Sequence, residues 1–270
     1  MTSSFLFWNL GKKDRRDLLE EAVREYGVDM VILAECPIGP DQILLALNAQ
    51  TTQFHYHEGY CNFIRVFSVF PRKFVIAIQE GARFTSRRIR LPERSEILLV
   101  AAHLPSKLHC SAGSQEHEAI SLADDIREAE KRVKHRRTVL VGDFNMQPFD
   151  DGMAGAKGLH GVMSKQVAAK EQRVVQGREY PMFYNPMWSL MGDLSQGPPG
   201  SYYRASGQHV EHFWWMFDQV LVRPELAAKT HASSFRLLTS IGSQSLLDTN
   251  GKPNTGVGSD HLPLLFEIDF

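Results

Sequence analysis

The chain has 270 residues, 43% of them hydrophobic and 23% charged, with 30 Lys+Arg against 31 Asp+Glu. That length and composition suit a soluble globular protein with a large core, and the near-neutral balance weighs against tight nonspecific wrapping of DNA. Three irregularly spaced cysteines (Cys36, Cys61, Cys110) exclude a disulfide framework and suggest reduced thiols in a cytoplasmic setting. The N-terminal stretch does not read as a signal peptide, and no window is apolar for long enough to span a bilayer.

"FLFWNL" (5–10) reads as a buried strand. In "DRRDLLEEAVREYG" (14–27), Leu18, Leu19, Ala22, Val23 and Tyr26 share one helical face and Gly27 supplies a stop. "VDMVILAE" (28–35) is again a strand, which gives a βαβ-like opening. "PDQILLALNAQ" (40–50) is a helix with Pro40 and Asp41 at its start. Four strand candidates follow between about 60 and 105: "NFIRVFSVF", "KFVIAIQE", "RFTSRRIRL" and "SEILLVAAHL". A long helix is predicted over 114–136, where Ile120, Ala123, Ile126, Ala129 and Val133 recur at helical spacing. Its basic end suits the negative pole of the helix dipole. Strand 138–143 comes next, then a loop-rich stretch with some helix to about 200, a strand at 213–222 and a last strand at 262–268. Strands and helices interspersed in this way suggest an α/β protein of stacked sheets flanked by helices. No composition shift marks a boundary, so a single domain over 1–270 is expected.

Six strand ends carry polar residues. "FLFWN" delivers Asn9, "MVILAE" Glu35, "ILLVAAH" His103, "LVGDFN" Asp143 and Asn145, "WWMFD" Asp218, and "GVGSDHLPL" places Asp260 and His261 before the last strand. Any one of these is most simply a turn residue. Six together point to a site, because rigid strand ends hold side chains in fixed geometry. Glu, Asp and Asn without a cysteine cluster form a hard, oxygen-rich environment suited to Mg²⁺ or Mn²⁺. Two histidines add proton-transfer capacity near neutral pH. A hard cation with acid–base groups is what phosphoester hydrolysis requires.

At these residues the sequence resembles the endonuclease/exonuclease/phosphatase, or deoxyribonuclease-like, superfamily. "FWN", "LAE", "AAHL", "GDFN", "FDQVL" and "GSDHLPL" occur in that family's order over nearly the whole chain. The resemblance implies a four-layer α/β/β/α sandwich of two mainly antiparallel sheets, with the site at one edge of the sheets. It also implies a metal-dependent phosphodiesterase, foremost a DNA or RNA nuclease, with Mg²⁺ as cofactor and Mn²⁺ as substitute. Glu35 then corresponds to the principal metal ligand, assisted by Asn9, with Asp260 contributing. Asp143 corresponds to the group that aligns or deprotonates the attacking water, Asn145 to a phosphate-oxygen contact, and His261 to a contact on the scissile phosphate. Asp218 corresponds to the carboxylate that orients His261. "AAHL" resembles the two-histidine arrangement of pancreatic-type deoxyribonucleases and bacterial sphingomyelinases, which makes His103 a proton donor to the leaving oxygen. "GDFNMQ" and "GSDHLP" depart from the inositol-polyphosphate 5-phosphatases, which argues against a phosphoinositide substrate.

Substrate contacts are weaker signals. "FTSRRIRL" holds Arg88 beside Arg87 and Arg90, a phosphate-backbone grip or a solvated strand face. Tyr202, Tyr203 and Arg204, with Trp214 and Trp215 nearby, suit base stacking, although at least one Trp belongs to the core. Lys107 and His109 follow His103 closely enough to line the mouth of a site. Two alternatives stay open: hydrolysis of a nucleotide, lipid or sugar phosphate, and a non-catalytic binding member of the family. No membrane partner is expected, and the oligomeric state is not legible.

Overall fold

The computed structural model describes residues 2–49, 52–108, 110–195 and 197–270. Strand β1 (Thr2–Asn9) pairs in parallel with β2 (Met30–Ala34) and antiparallel with the terminal strand Leu264–Asp269. Helix α1 (Arg16–Tyr26) makes the crossover from β1 to β2 and stops at Gly27, whose left-handed φ of 58° no side chain opposes. Helix α2 (Pro40–Leu47) opens on Pro40. Beyond it lie β3 (His55–Tyr56) and β4 (Ile64–Ser68), and β4 runs antiparallel to β2. The first sheet has six strands, in the order Phe235–Leu237, terminal strand, β1, β2, β4, β3.

The second sheet has seven. Strands β5 (Val75–Glu80), β6 (Phe84–Ile89), β7 (Ile97–His103) and β8 (Thr138–Asp143) follow in order. The strands Asp218–Val222, Phe183–Tyr184 and Gly161–Val162 complete it. Helix α3 (Ala112–Val133) connects the parallel strands β7 and β8. It starts two residues earlier than the periodicity indicates, because Ser111 Oγ accepts the Ser114 N–H as an N-cap. No helix among the described residues is long and apolar enough to cross a membrane.

Alternation within the strands assigns the layers. Phe5 and Phe7, Met30 and Ile32, Leu99 and Ala101, Val139 and Val141, and Val220 and Val222 face one another between the sheets. Phe5 stacks on Phe266 there, with ring centroids 5.0 Å apart. Leu6, Trp8, Val31 and Leu33 face the other way, under Leu19, Ala22 and Ile43 of α1 and α2. Leu98, Val100 and Leu140 pack under Ala119, Leu122 and Ile126 of α3. Both faces of each sheet are therefore buried, which explains why these strands read as continuous apolar runs. The layers are helix, sheet, sheet, helix, with mainly antiparallel pairing, as expected. Each large side chain buried this way contributes about 2 kcal/mol of transfer free energy. Gly142 of β8 lets two strands meet closely: a Cβ there would lie 2.0 Å from the Ala102 carbonyl oxygen.

Two expectations change. The strand read over 213–222 is broken. Trp214–Trp215 pairs with Tyr202–Tyr203 in a separate hairpin, and only Asp218–Val222 enters the large sheet. Besides short helices, the stretch between 144 and 200 holds the sheet strands Gly161–Val162 and Phe183–Tyr184 and an exposed hairpin, Gln172–Val175 with Arg178–Pro181.

Candidate active site

The alternation that builds the inter-sheet core also builds the site. Asn9 follows Phe5 and Phe7, His103 follows Leu99 and Ala101, Asp143 follows Val139 and Val141, and Asp218 precedes Val220 and Val222. At the strand ends the apolar seam therefore becomes a polar one. In the second sheet His103, Asp143 and Asp218 stand abreast, since Asp143 is the register partner of both His103 and Asp218. The first sheet offers Glu35, Asn9 and His261 in the matching order. Each of the three pairs is in contact across the seam. His103 Nε2 lies 3.5 Å from Glu35 Oε1, Asn9 Nδ2 donates to Asp143 Oδ2 at 2.9 Å, and His261 Nδ1 lies 2.7 Å from Asp218 Oδ2.

Glu35 breaks the alternation. Its neighbours Val31 and Leu33 face the helices, but Glu35 adopts a left-handed φ of 46° that turns it out of the strand. A non-glycine residue held in that region stores on the order of 1 kcal/mol of strain, a cost that recurs at functional positions. Asn145 is held similarly, at φ 52°. Its N–H donates to Asp143 Oδ1 at 2.9 Å and its Nδ2 to the Leu104 carbonyl at 3.0 Å. Phe144 between them is fully buried in the core under α3, so Asp143 and Asn145 share the other side.

Asp143 sits at the centre of the floor and is 1% exposed. Besides Asn9 and Asn145, it has His103 Nε2 at 3.5 Å and His261 Nε2 at 3.9 Å from Oδ2. Asp218 is fully buried, and its N–H donates to Ser201 Oγ at 3.0 Å. Burial pushes the Asp218 carboxyl up, opposed by the adjacent imidazole. For His261, burial acts to strip the proton, but the Asp218, Asp143 and Asp260 carboxylates outweigh it and push its pKa up to about 10. The imidazole is thus a cation at neutral pH, held through Nδ1 with Nε2 directed at Asp143. Asp143, Asp218 and His261 place ligand-type atoms within 4.8 Å of one another.

These groups open into a cavity of about 530 Å³, with Glu35, His103, Asp143, Asn145, Asp260 and His261 on its wall. Asn9 reaches the site but not the wall: its amide lies beneath Asp143 and accepts the Gly11 N–H at 3.0 Å. Arg204 is on the wall, its guanidinium 5.1 Å from the Trp215 ring centroid, and Lys107 lies over the same ring at 5.8 Å. His109 falls outside the described residues.

Two expected substrate contacts are corrected. Arg88 pairs with Leu98 at the start of β7 and is bound to Glu96 at 2.7 Å. The site lies at the opposite end of β6, roughly 17 Å away at strand rise. Tyr203 turns away from the cavity, with its ring 5.3 Å from Trp214 and Lys252 over it at 4.3 Å. The neighbouring Tyr202 takes the inward position, 4.7 Å from the His261 ring. Sequence reading misses Gln115 of α3, whose Nε2 bridges the Pro105 and Asn145 carbonyls at 2.8 and 3.0 Å and so ties two site loops together. A lone polar residue in an amphipathic helix carries no signal of that role.

A family model described as the endonuclease/exonuclease/phosphatase family matches residues 6–261. The chain belongs to that family. Among solved structures it is similar to D. rerio TDP2 complexed with single-strand DNA product, at 16% identity and a TM-score of 0.55, covering 100% of this chain and 99% of that one. The human Nocturnin catalytic domain with bound sulfate gives 14% identity and a TM-score of 0.60, covering 100% and 94%. The endonuclease domain of TRAS1, a telomere-specific non-LTR retrotransposon, gives 13% and 0.54, covering 99% of each chain. At these identities the likeness is one of fold. No curated protein sequence matches significantly.

Proposed function

We propose that this family member is a divalent-metal-dependent phosphodiesterase that cleaves nucleic acid. The observation that carries this reading is the placement of two histidines around one buried carboxylate, Asp143, on the wall of a cavity that also presents Glu35. TDP2 with its DNA product and Nocturnin with its sulfate, a tetrahedral anion shaped like phosphate, support it.

The donor set fits a hard cation. Glu35, Asp143, Asp260 and the Asn9 and Asn145 amides offer oxygen. Cys36, the one sulfur among the described wall residues, is kept as a thiol because burial pushes its pKa up. Glu35 is the principal ligand, with Asn9 and Asp260 assisting. The cation, Mg²⁺ or Mn²⁺, supplies charge stabilisation of the phosphoryl oxygens. Asp143 aligns the attacking water and takes its proton. The His261 imidazolium and the second amide hydrogen of Asn145 hold phosphoryl oxygens, with Asp218 fixing the His261 ring. His103 Nε2 delivers a proton to the leaving oxygen as its bond to phosphorus breaks.

The test is incubation of supercoiled plasmid, single-stranded DNA, RNA and bis(p-nitrophenyl) phosphate with Mg²⁺, Mn²⁺ or chelator. Metal-dependent cleavage of a nucleic acid is expected, abolished in Asp143→Ala and His261→Ala variants that retain the wild-type melting curve. Cleavage of the small diester alone would move the assignment to a nucleotide or other small phosphoester. Unchanged rates in either variant would refute the site.

A further inference from the structure

The seam has a fourth rung that the catalytic reading leaves unused. Phe63 immediately precedes β4, the neighbour of β2, and Arg83 immediately precedes β6, the neighbour of β7. They meet across the seam beside the Glu35–His103 pair: the Arg83 guanidinium lies 4.5 Å from the Phe63 ring centroid, and the ring stands edge-on to His103 at 5.7 Å. Both line the cavity. Phe63 remains 39% exposed, so the ring offers apolar surface into a polar cavity. Arg83 donates Nη1 to the His103 carbonyl at 3.3 Å, which steadies it on the ring and leaves further N–H groups toward the cavity.

The loop that carries Phe63 is built rigidly. Glu80 and Arg87 form an ion pair at 2.6 Å with side chains 8% and 5% exposed. Glu80 also accepts the Thr85 hydroxyl at 2.6 Å and, through its second oxygen, the Tyr60 N–H at 2.7 Å. Gly59 is pressed against this pair: a Cβ there would lie 2.1 Å from Glu80 Oε1 and 2.2 Å from Arg87 Nη2. Cys61 Sγ donates to the Ala82 carbonyl at 3.6 Å. A loop of the first sheet is thus fastened to the β5–β6 hairpin of the second by the Tyr60 N–H and the Cys61 thiol, the first of them donating to a buried ion pair internal to that hairpin, an arrangement that specifies geometry more than it adds stability.

We infer that Phe63, backed by Arg83, is a stacking subsite for the nucleobase on the leaving-oxygen side of the scissile bond. This deepens the nuclease reading and rests on it. An aromatic face with a guanidinium beside it binds a base without regard to sequence, the base on the ring and the next phosphate on the cation. His103, the proton donor to the leaving oxygen, fixes which side this rung serves. Phe63 sets specificity, and the Glu80–Arg87 pair positions it.

The experiment uses an octathymidylate with a single phosphodiester among phosphorothioate linkages, and two analogues with an abasic tetrahydrofuran residue on one or the other side of that bond. Product-end analysis identifies the leaving-oxygen side. The wild-type KM is expected to rise about tenfold when the missing base is on that side and to change little for the other, matching the usual worth of one stacked base. Phe63→Ala should raise KM for the intact oligonucleotide by the same factor and erase the difference between analogues, while Phe63→Trp restores both. If Phe63→Ala keeps the abasic sensitivity, the subsite is overturned. A uniform loss on all three substrates with a displaced pH–rate profile also overturns it, since Phe63 would then only shield His103. Cleavage of no oligonucleotide under any metal overturns the nuclease reading and this inference with it.

Discussion

Asp218 opens a strand of the second sheet and His261 lies just ahead of the terminal strand of the first, yet Oδ2 of one lies 2.7 Å from Nδ1 of the other with both side chains buried. The imidazole can therefore enter the cavity only with Nε2 leading. Asp218→Asn preserves the shape but removes the negative charge that holds the imidazolium in this orientation. We expect kcat to fall by roughly 10²- to 10⁴-fold, with KM within a few-fold and the circular-dichroism spectrum unchanged. Steady-state kinetics on whichever diester is cleaved measures the split.

The charge state of His261 gives a second prediction. Its pKa is pushed up to about 10 by Asp218, Asp143 and Asp260 against the effect of burial. A histidine with a raised folded-state pKa lends stability that is fully present below its unfolded value near 6.5 and is lost as pH rises through about 10. In metal-free protein the ring ¹⁵N resonances of His261 should report an imidazolium at pH 8. In Asp218→Asn the titration should move toward neutrality. A neutral ring at pH 7 in the wild-type protein would contradict the imidazolium that the three carboxylates sustain.

Metal dependence is testable without turnover. A cation held by Glu35 binds the folded chain and raises its melting temperature with concentration. Millimolar Mg²⁺ or Mn²⁺ should raise the transition of the wild-type protein, and chelator should reverse the rise. The increment should be small or absent in Glu35→Ala, whose own melting curve in chelator should match that of the wild type. Equal increments in both proteins would place the cation elsewhere.

Acid stability follows from a residue far from the chemistry. His57 is 4% exposed, with Nε2 2.7 Å from Ser68 Oγ, and its pKa falls to about 3, through burial first and then the charges of Arg87, His55 and Arg72. Below pH 6.5 the unfolded chain takes up a proton there that the folded chain refuses. Stability from this group is therefore present above 6.5 and lost as pH falls toward 3. Between pH 7 and pH 5 the loss is about 2 kcal/mol. Urea titrations should show His57→Gln with a shallower acid slope than the wild type. His135 and His160, both depressed by burial, retain their share in the variant.

The layers and the gathering of the polar strand ends at one cavity were legible because both rest on local pattern. Apolar runs with polar tips mark strands that are buried on both faces and end at a site. Their opposition was not legible: nothing in sequence order says that Asn9 meets Asp143 or that Glu35 meets His103, since strand order across two facing sheets is set by non-local pairing. Arg88 and Tyr203 failed for reasons of parity and direction. Arg88 lies at the wrong end of its strand, and Tyr203 points to the wrong side of its hairpin. Phe63 and Arg83 were missed because each lies just outside a strand, where alternation no longer assigns a face.

The rungs of the seam take one member from each sheet, and neither sheet holds a complete set. A slip of one sheet past the other by a single residue, about 3.4 Å, would part all of them together. The chemistry thus works as a caliper on the sandwich. Thinning the filling far from the cavity, for instance at the Phe5–Phe266 stack, alters the spacing the caliper reads, and turnover would fade while the protein still melts cooperatively.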